Sequence, residues 1–158
     1  CVWRSWALNE VSVERTGEPK VLEVGVSIDG EPLSRYGADG LVCATSTGST
    51  AYAFSAGGPV LWPEVQAISV VPVSAHALFA RPMVVAPTSE VAVEVLSEAG
   101  AMVWADGRRG QALRPTDTVR IVRHNVDLRF ARLHTPPFTR RLVAKFGLPL
   151  TGWRDAAR

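Results

Sequence analysis

Cysteine is scarce: Cys1 and Cys43 are the only two in 158 residues. Two cysteines build no disulfide framework, and Cys43 lies inside the apolar run 41–44, where it reads as a buried free thiol suited to a reducing cytoplasm. His76, His124 and His134 lack metal-ligand spacing and have no cysteine pair beside them, which argues against a zinc site. No apolar stretch approaches the length of a membrane span, and no signal-peptide pattern is present. A formal charge of +2 is too small to indicate a nucleic-acid partner. There is no P-loop, no G-x-G-x-x-G and no G-x-S-x-G, so the common phosphate-cradling and serine-nucleophile motifs are missing. Eleven prolines spread along the chain exclude long helices.

What is present reads as one domain: 47% hydrophobic and 20% charged residues can bury a sizeable core. Leu22, Val24, Val26 and Ile28 alternate with Glu23, Gly25 and Ser27, a half-buried strand. Asp29-Gly30 signals a hairpin turn, and 33–36 begins the return strand. Val91, Val93 and Val95 alternate again, and 102–105 runs into a second hairpin signal, Asp106-Gly107. Val119 and Ile121 flank Arg120; Val126, Leu128 and Phe130 alternate with Asp127 and Arg129. Short strands between turn signals predict a mainly antiparallel β-sandwich. Two helices are expected beside it. One is short, over 49–56, stopped by Gly57-Gly58-Pro59; the other is amphipathic, over 139–146, with Phe138, Leu142 and Phe146 at four-residue spacing and Gly147 after it. The chain starts at Cys1 with residues that already read as structured, so a fragment of a longer protein is expected.

The richest stretch is Thr45-Ser46-Thr47-Gly48-Ser49-Thr50-Ala51-Tyr52, directly after the buried run. Hydroxyls and glycines in such a turn leave N–H and O–H groups for a polar ligand at close approach. Composition alone also fits an ordinary Ser/Thr-rich loop. Taken alone, Asn9-Glu10 fits a polar strand end, Asp39-Gly40 and Asp106-Gly107 fit turns, and Tyr52 fits core packing. An exposed strand face accounts for Arg120, Arg123, Arg129 and Arg132 better than a phosphate patch does.

Together, Thr47-Gly48-Ser49-Thr50-Ala51-Tyr52 and Ser55-Ala56-Gly57-Gly58-Pro59 resemble the signature of the NAD kinases, which phosphorylate the adenosine 2′-hydroxyl of NAD to give NADP. Asn9-Glu10, Asp39-Gly40, His76, Arg81-Pro82 and Asp106-Gly107 match further family segments in family order, and 6–10 and 75–79 are most similar to the actinobacterial branch. Two positions depart from the pattern: Ser46 replaces a common Pro, and Arg108 stands where Gln often follows the late Asp-Gly.

The resemblance implies a β-rich NAD-binding domain over 1–135 and a C-terminal helical tail, 136–158, that packs on an N-terminal α/β domain. It implies that Asn9 and Glu10 hold the nucleoside, that 50–55 (Thr50, Ala51, Tyr52, Ala53, Phe54, Ser55) binds the two nucleoside halves, and that Asp39 lies near the nicotinamide ribose or reaches it across a subunit interface. Arg108 is a further candidate contact, and Lys20 occupies a position often basic or polar, although its own reading is a solvated charge. The catalytic Asp of the family stands in a Gly-Gly-Asp-Gly-Thr segment, which is absent here, so no catalytic and no metal-binding residue is expected in this chain. For the intact protein the resemblance implies ATP or polyphosphate as phosphoryl donor with a divalent metal such as Mg²⁺, NAD and NADP as ligands, a cytoplasmic location and a homodimer or homotetramer. The alternative is a non-catalytic nucleotide-binding or interaction module of lipid-kinase-like architecture.

Overall fold

Alternating apolar residues set the strands of this computed structural model, which describes residues 3–17, 21–131, 133–134 and 136–152. In chain order the elements are β1 Glu10–Glu14, β2 Leu22–Ile28, β3 Glu31–Ala38, β4 Gly40–Thr45, a 3-10 turn Gly48–Thr50, α1 Tyr52–Ser55, β5 Ile68–Val73, β6 Met83–Val85, β7 Val91–Val95, β8 Ala101–Ala105, β9 Arg109–Leu113, β10 Thr118–Ile121 and α2 Phe138–Phe146. They form two antiparallel sheets, β6-β5-β4-β1-β8-β9 and β10-β7-β2-β3. Both hairpin signals hold. Asp29 and Gly30 join β2 to β3, and Asp106 and Gly107 join β8 to β9, each pair with positive φ. Two successive positive φ values match the twist of the flanking strands, which is why Asp-Gly suits the turn.

One face of each sheet builds the main core. Val13, Leu41, Cys43, Val70 and Val103 of the six-stranded sheet pack with Leu22, Val24, Val26, Tyr36, Val91, Val93 and Val95 of the four-stranded one. The chain therefore folds as the expected antiparallel sandwich. The six-stranded sheet is also covered on its outer face, where Val42, Ala44 and Val71 enclose Ala53 of α1. Burial on both sides explains why β4 is buried almost end to end and reads as an unbroken apolar run. Burial also pushes the Cys43 thiol up to about 12, so it stays protonated and unreactive.

Two expectations need correction. The helix read over 49–56 is split: Ala51, at φ −107° and ψ −127°, breaks it into the 3-10 turn and α1. The alternation at Val126, Leu128 and Phe130 forms no strand. The Val126 N–H bonds His124 Nδ1 at 3.0 Å, and all three side chains are exposed, so the period of two finds no sheet edge to join. Arg120 does lie in β10, but Arg123 and Arg129 lie past it, and Arg132 is outside the described residues.

Contacts divide the chain into units Cys1–Asp127 and Leu128–Arg158. The second contains α2, which ends at Gly147 in the left-handed conformation with its N–H on the Val143 carbonyl. Among the described residues no helix is long and apolar enough to cross a membrane.

Candidate functional site

β1 brings a polar face to the outside of a buried sheet. Glu10, Ser12 and Glu14 pair in register with Ala44, Val42 and Gly40 of β4, so they share the outer face on which α1 sits. Ser12 is buried and donates to the Glu14 carboxylate at 2.6 Å. Glu10 is only 8% exposed, and its Oε2 has no hydrogen-bond partner. Burial raises the Glu10 carboxyl above its ordinary range; the Tyr52 N–H opposes this, and the charge of Asp106 adds to it.

The segment leading into β1 is held from two sides. From the β8–β9 turn, Asp106 accepts the N–H groups of Leu8 at 3.0 Å and Asn9 at 2.7 Å, while its own N–H bonds the Glu10 carbonyl at 2.9 Å. Arg109 donates to Asp106 at 2.9 Å and to the Trp6 carbonyl at 2.7 Å, with its guanidinium 4.2 Å from the Trp6 ring centre. Burial works against ionisation of Asp106, yet the N–H groups of Leu8, Asn9 and Glu10 and the Arg109 guanidinium hold its carboxyl below the usual value.

From the Ser/Thr-rich turn, the Thr45 hydroxyl donates to the Leu8 carbonyl at 2.7 Å and accepts the Gly48 N–H at 3.1 Å, and the Thr45 N–H bonds the Asn9 carbonyl at 2.9 Å. Gly48 is required here, since a Cβ would lie 2.0 Å from the Asn9 carbonyl oxygen. Ser49 is fully buried; its hydroxyl donates to the Ser46 carbonyl and accepts the Leu61 N–H. The hydroxyls of Thr45 and Ser49 thus serve the fold, tying the turn to residues 8 and 61.

Tyr52 opens α1 beside a groove of about 430 Å³ lined also by Glu14, Arg15, Gly17, Asp39 and Val73. Arg15 and Asp39 form an ion pair at 3.0 Å within it. Burial, followed by the carboxylates of Glu14, Asp39 and Glu10, raises the Tyr52 phenol above its usual value.

The sequence candidates therefore part company. The Tyr52 N–H meets the Glu10 carboxylate at the start of β1, Asn9 is the residue just before that strand, and Asp39 shares the groove with Tyr52. Ala53 is fully buried in the second core, whereas Phe54 and Ser55 are exposed and Thr50 and Ala51 half-buried. Arg108 is exposed on the β8–β9 turn, and Arg109 rather than Arg108 holds Asp106. Lys20 lies outside the described residues. Sequence reasoning missed Arg109, Trp6, Ser12 and Glu14. The period-two series Glu10, Ser12, Glu14 was the available signal for the polar face; nothing local in sequence marks a pairing across 103 residues such as Trp6 with Arg109.

Residues 8–133 match the model of the ATP-NAD kinase C-terminal domain. The NAD kinase of Thermobifida fusca is 57% identical over 98% of this chain and 48% of its own length. NAD kinase 2 of Streptomyces coelicolor is 56% identical over 98% of the chain and 52% of its own. The chain spans about half the length of the curated relatives it matches. Among solved structures, yeast NADH kinase complexed with NADH superposes with a TM-score of 0.70 at 34% identity, over 73% of this chain and 34% of that one. An NAD kinase from Archaeoglobus fulgidus in complex with ATP gives 0.69 at 32% identity, over 75% and 46%.

Proposed function

The chain belongs to the family of ATP-NAD kinase C-terminal domains, and from that membership we propose that it is the NAD-binding part of a protein that phosphorylates the adenosine 2′-hydroxyl of NAD to give NADP. The observation that carries this is the Glu10 carboxylate at the start of β1, which takes the Tyr52 N–H and keeps one buried oxygen without a protein partner, directly after Asn9. A carboxylate oxygen without a protein partner is an acceptor for a ribose hydroxyl, and the Asn9 amide offers a donor and an acceptor to an adenine edge. Tyr52 supplies an aromatic ring at the groove, and Asp39 a further acceptor near it. Thr50, Ala51, Phe54 and Ser55 complete the nucleoside-binding set in this reading, and Ala53, buried against Val42, Ala44 and Val71, keeps the segment in place.

The contribution of these residues is binding and orientation, which in phosphoryl transfer supplies much of the rate. The phosphoryl group passes from ATP or polyphosphate to the 2′-oxygen, and the hydroxyl proton goes to a base outside this chain, in the half that carries the Gly-Gly-Asp-Gly-Thr segment. Among the described residues no group of three or more His, Cys, Asp or Glu is placed to hold a metal. The same reading makes residues 136–158 a tail that packs on the α/β half, and the intact protein a cytoplasmic homodimer or homotetramer.

The experiment is an assay of the intact protein with NAD, Mg²⁺ and either ATP or polyphosphate, with NADP detected as product. Conversion with at least one donor is expected, and Glu10→Ala should weaken NAD binding by about 1–3 kcal/mol, the range for a hydrogen bond to a charged group. No NADP with either donor, or unchanged NAD affinity in Glu10→Ala, overturns the reading.

A further inference from the structure

We propose that Asp106 is the positioning residue of the nucleotide site, setting through three backbone N–H groups where Asn9 and Glu10 present their side chains. This rests on the reading of residues 9 and 10 as the nucleoside-binding pair. Asp106 stands in an Asp-Gly hairpin turn, and a turn alone asks only for positive φ, which Asn or Gly supplies equally well. The observed carboxylate does something a turn does not need. It reaches 98 residues back along the chain to the Leu8 N–H at 3.0 Å, takes the Asn9 N–H at 2.7 Å, and lies 3.4 Å from the Glu10 N–H.

These N–H groups lie where β1 begins, before its ladder is established. Asn9 and Leu8 precede the first strand residue, so no partner strand holds their N–H groups. The opposite side of the same segment is tied by Thr45, whose hydroxyl and N–H bond the carbonyls of Leu8 and Asn9, while Gly48 leaves room for the Asn9 carbonyl to approach closely. Donors are held by one carboxylate and acceptors by one turn, so the peptide planes of residues 8–10 have no freedom to rotate. Their side chains are thereby aimed. Arg109 in turn fixes the carboxylate: it binds Asp106 Oδ2 while its guanidinium is seated on the Trp6 carbonyl and ring. Only an ionised carboxylate accepts from several N–H groups and a guanidinium together; a carboxamide has one acceptor oxygen and turns its NH₂ on the remaining donors.

The test is Asp106→Asn in the intact protein, with KM for NAD and KM for the phosphoryl donor measured separately. The Asn variant keeps the turn chemistry and loses the carboxylate. A rise in KM for NAD of roughly tenfold or more, corresponding to the charged hydrogen bonds lost, with KM for the donor within about twofold of wild type, is the expected result. A uniform loss in both, or no change in either, overturns the proposal. Arg109→Ala, which leaves the Leu8 and Asn9 bonds to the carboxylate in place, should give a smaller rise confined to NAD; no change there counts against the brace. A third readout needs no variant. Amide exchange on wild-type protein should show Leu8 and Asn9 protected well above Ala7, and exchange at the rate of a free peptide overturns the assignment. If wild type turns over no NAD, the functional reading itself falls; if it does and Asp106→Asn matches it, only the positioning role falls.

Discussion

Glu10 is a carboxylate that the fold would sooner not bury. Its folded-state value lies above the ordinary 4.5, with burial as the main cause. The folded chain therefore binds the proton more readily than the unfolded chain, and stability falls as pH rises from 4.5 to the folded value. Above that value the penalty is complete. Glu10→Gln should raise the urea midpoint at neutral pH, with the gain shrinking as pH is lowered toward 4.5, while NAD affinity drops. Both changes together would mark Glu10 as a functional position. An equal urea midpoint at all pH values would show that burial costs Glu10 nothing. Asp106 has the opposite sign. Its folded value lies below the ordinary 3.8, so its contribution is in place above 3.8 and is lost as pH falls through the depressed value. Gly48 is constrained by space alone. With a Cβ placed 2.0 Å from the Asn9 carbonyl oxygen, Gly48→Ala must separate the turn from the start of β1. The expected cost is about 3 kcal/mol by denaturant titration, and a variant as stable as wild type would mean that the contact yields freely.

Among the elements, α1 is the least able to stand alone. Four residues make too short a helix to persist in water. Packing of Ala53 between Val42, Ala44 and Val71 holds it, together with the Gly58 N–H on the Ala53 carbonyl at 2.8 Å. Ala53→Leu should overfill that space at a cost of roughly 1–3 kcal/mol. It should also weaken NAD binding by the intact protein, because the Tyr52 N–H that faces Glu10 belongs to the same element. A loss of stability with NAD affinity unchanged would separate α1 from the site. The break at Ala51 was not legible because small residues tolerate helix and turn alike, and the choice is made by what residues 48 and 53 pack against. The segment 126–130 misleads in the converse way: its alternation is a strand pattern, but a strand exists only where an edge accepts it.

For the whole molecule, the division of labour yields a plain expectation. This chain alone, given NAD, Mg²⁺ and either donor, should form no NADP, since the base for the 2′-hydroxyl is proposed to lie in the other half of the protein. NADP formation near the rate of the intact protein would place the catalytic group here and refute that division. Relatives twice the length of this chain agree with such a partition, and the main core of the sandwich is drawn from both sheets.

Strand periodicity, the two Asp-Gly hairpins and the family signature are local properties, settled by residues within a few positions of one another, and the sequence by itself determined them. The sandwich class, both hairpins and family membership were accordingly legible. Which hydroxyls of the Ser/Thr-rich turn serve the fold was not: Ser49 stands among several alike in sequence and is committed to residues 46 and 61. Nor was the choice between Arg108 and Arg109, adjacent residues of one type, of which only the second reaches Asp106. The clamp of Asp106 on Leu8 and Asn9 joins positions 98 and 97 residues apart. Such a pairing has no periodicity and no neighbour rule. It follows from β1 lying between β4 and β8 in the sheet, and strand order was decided only when the chain closed on its core.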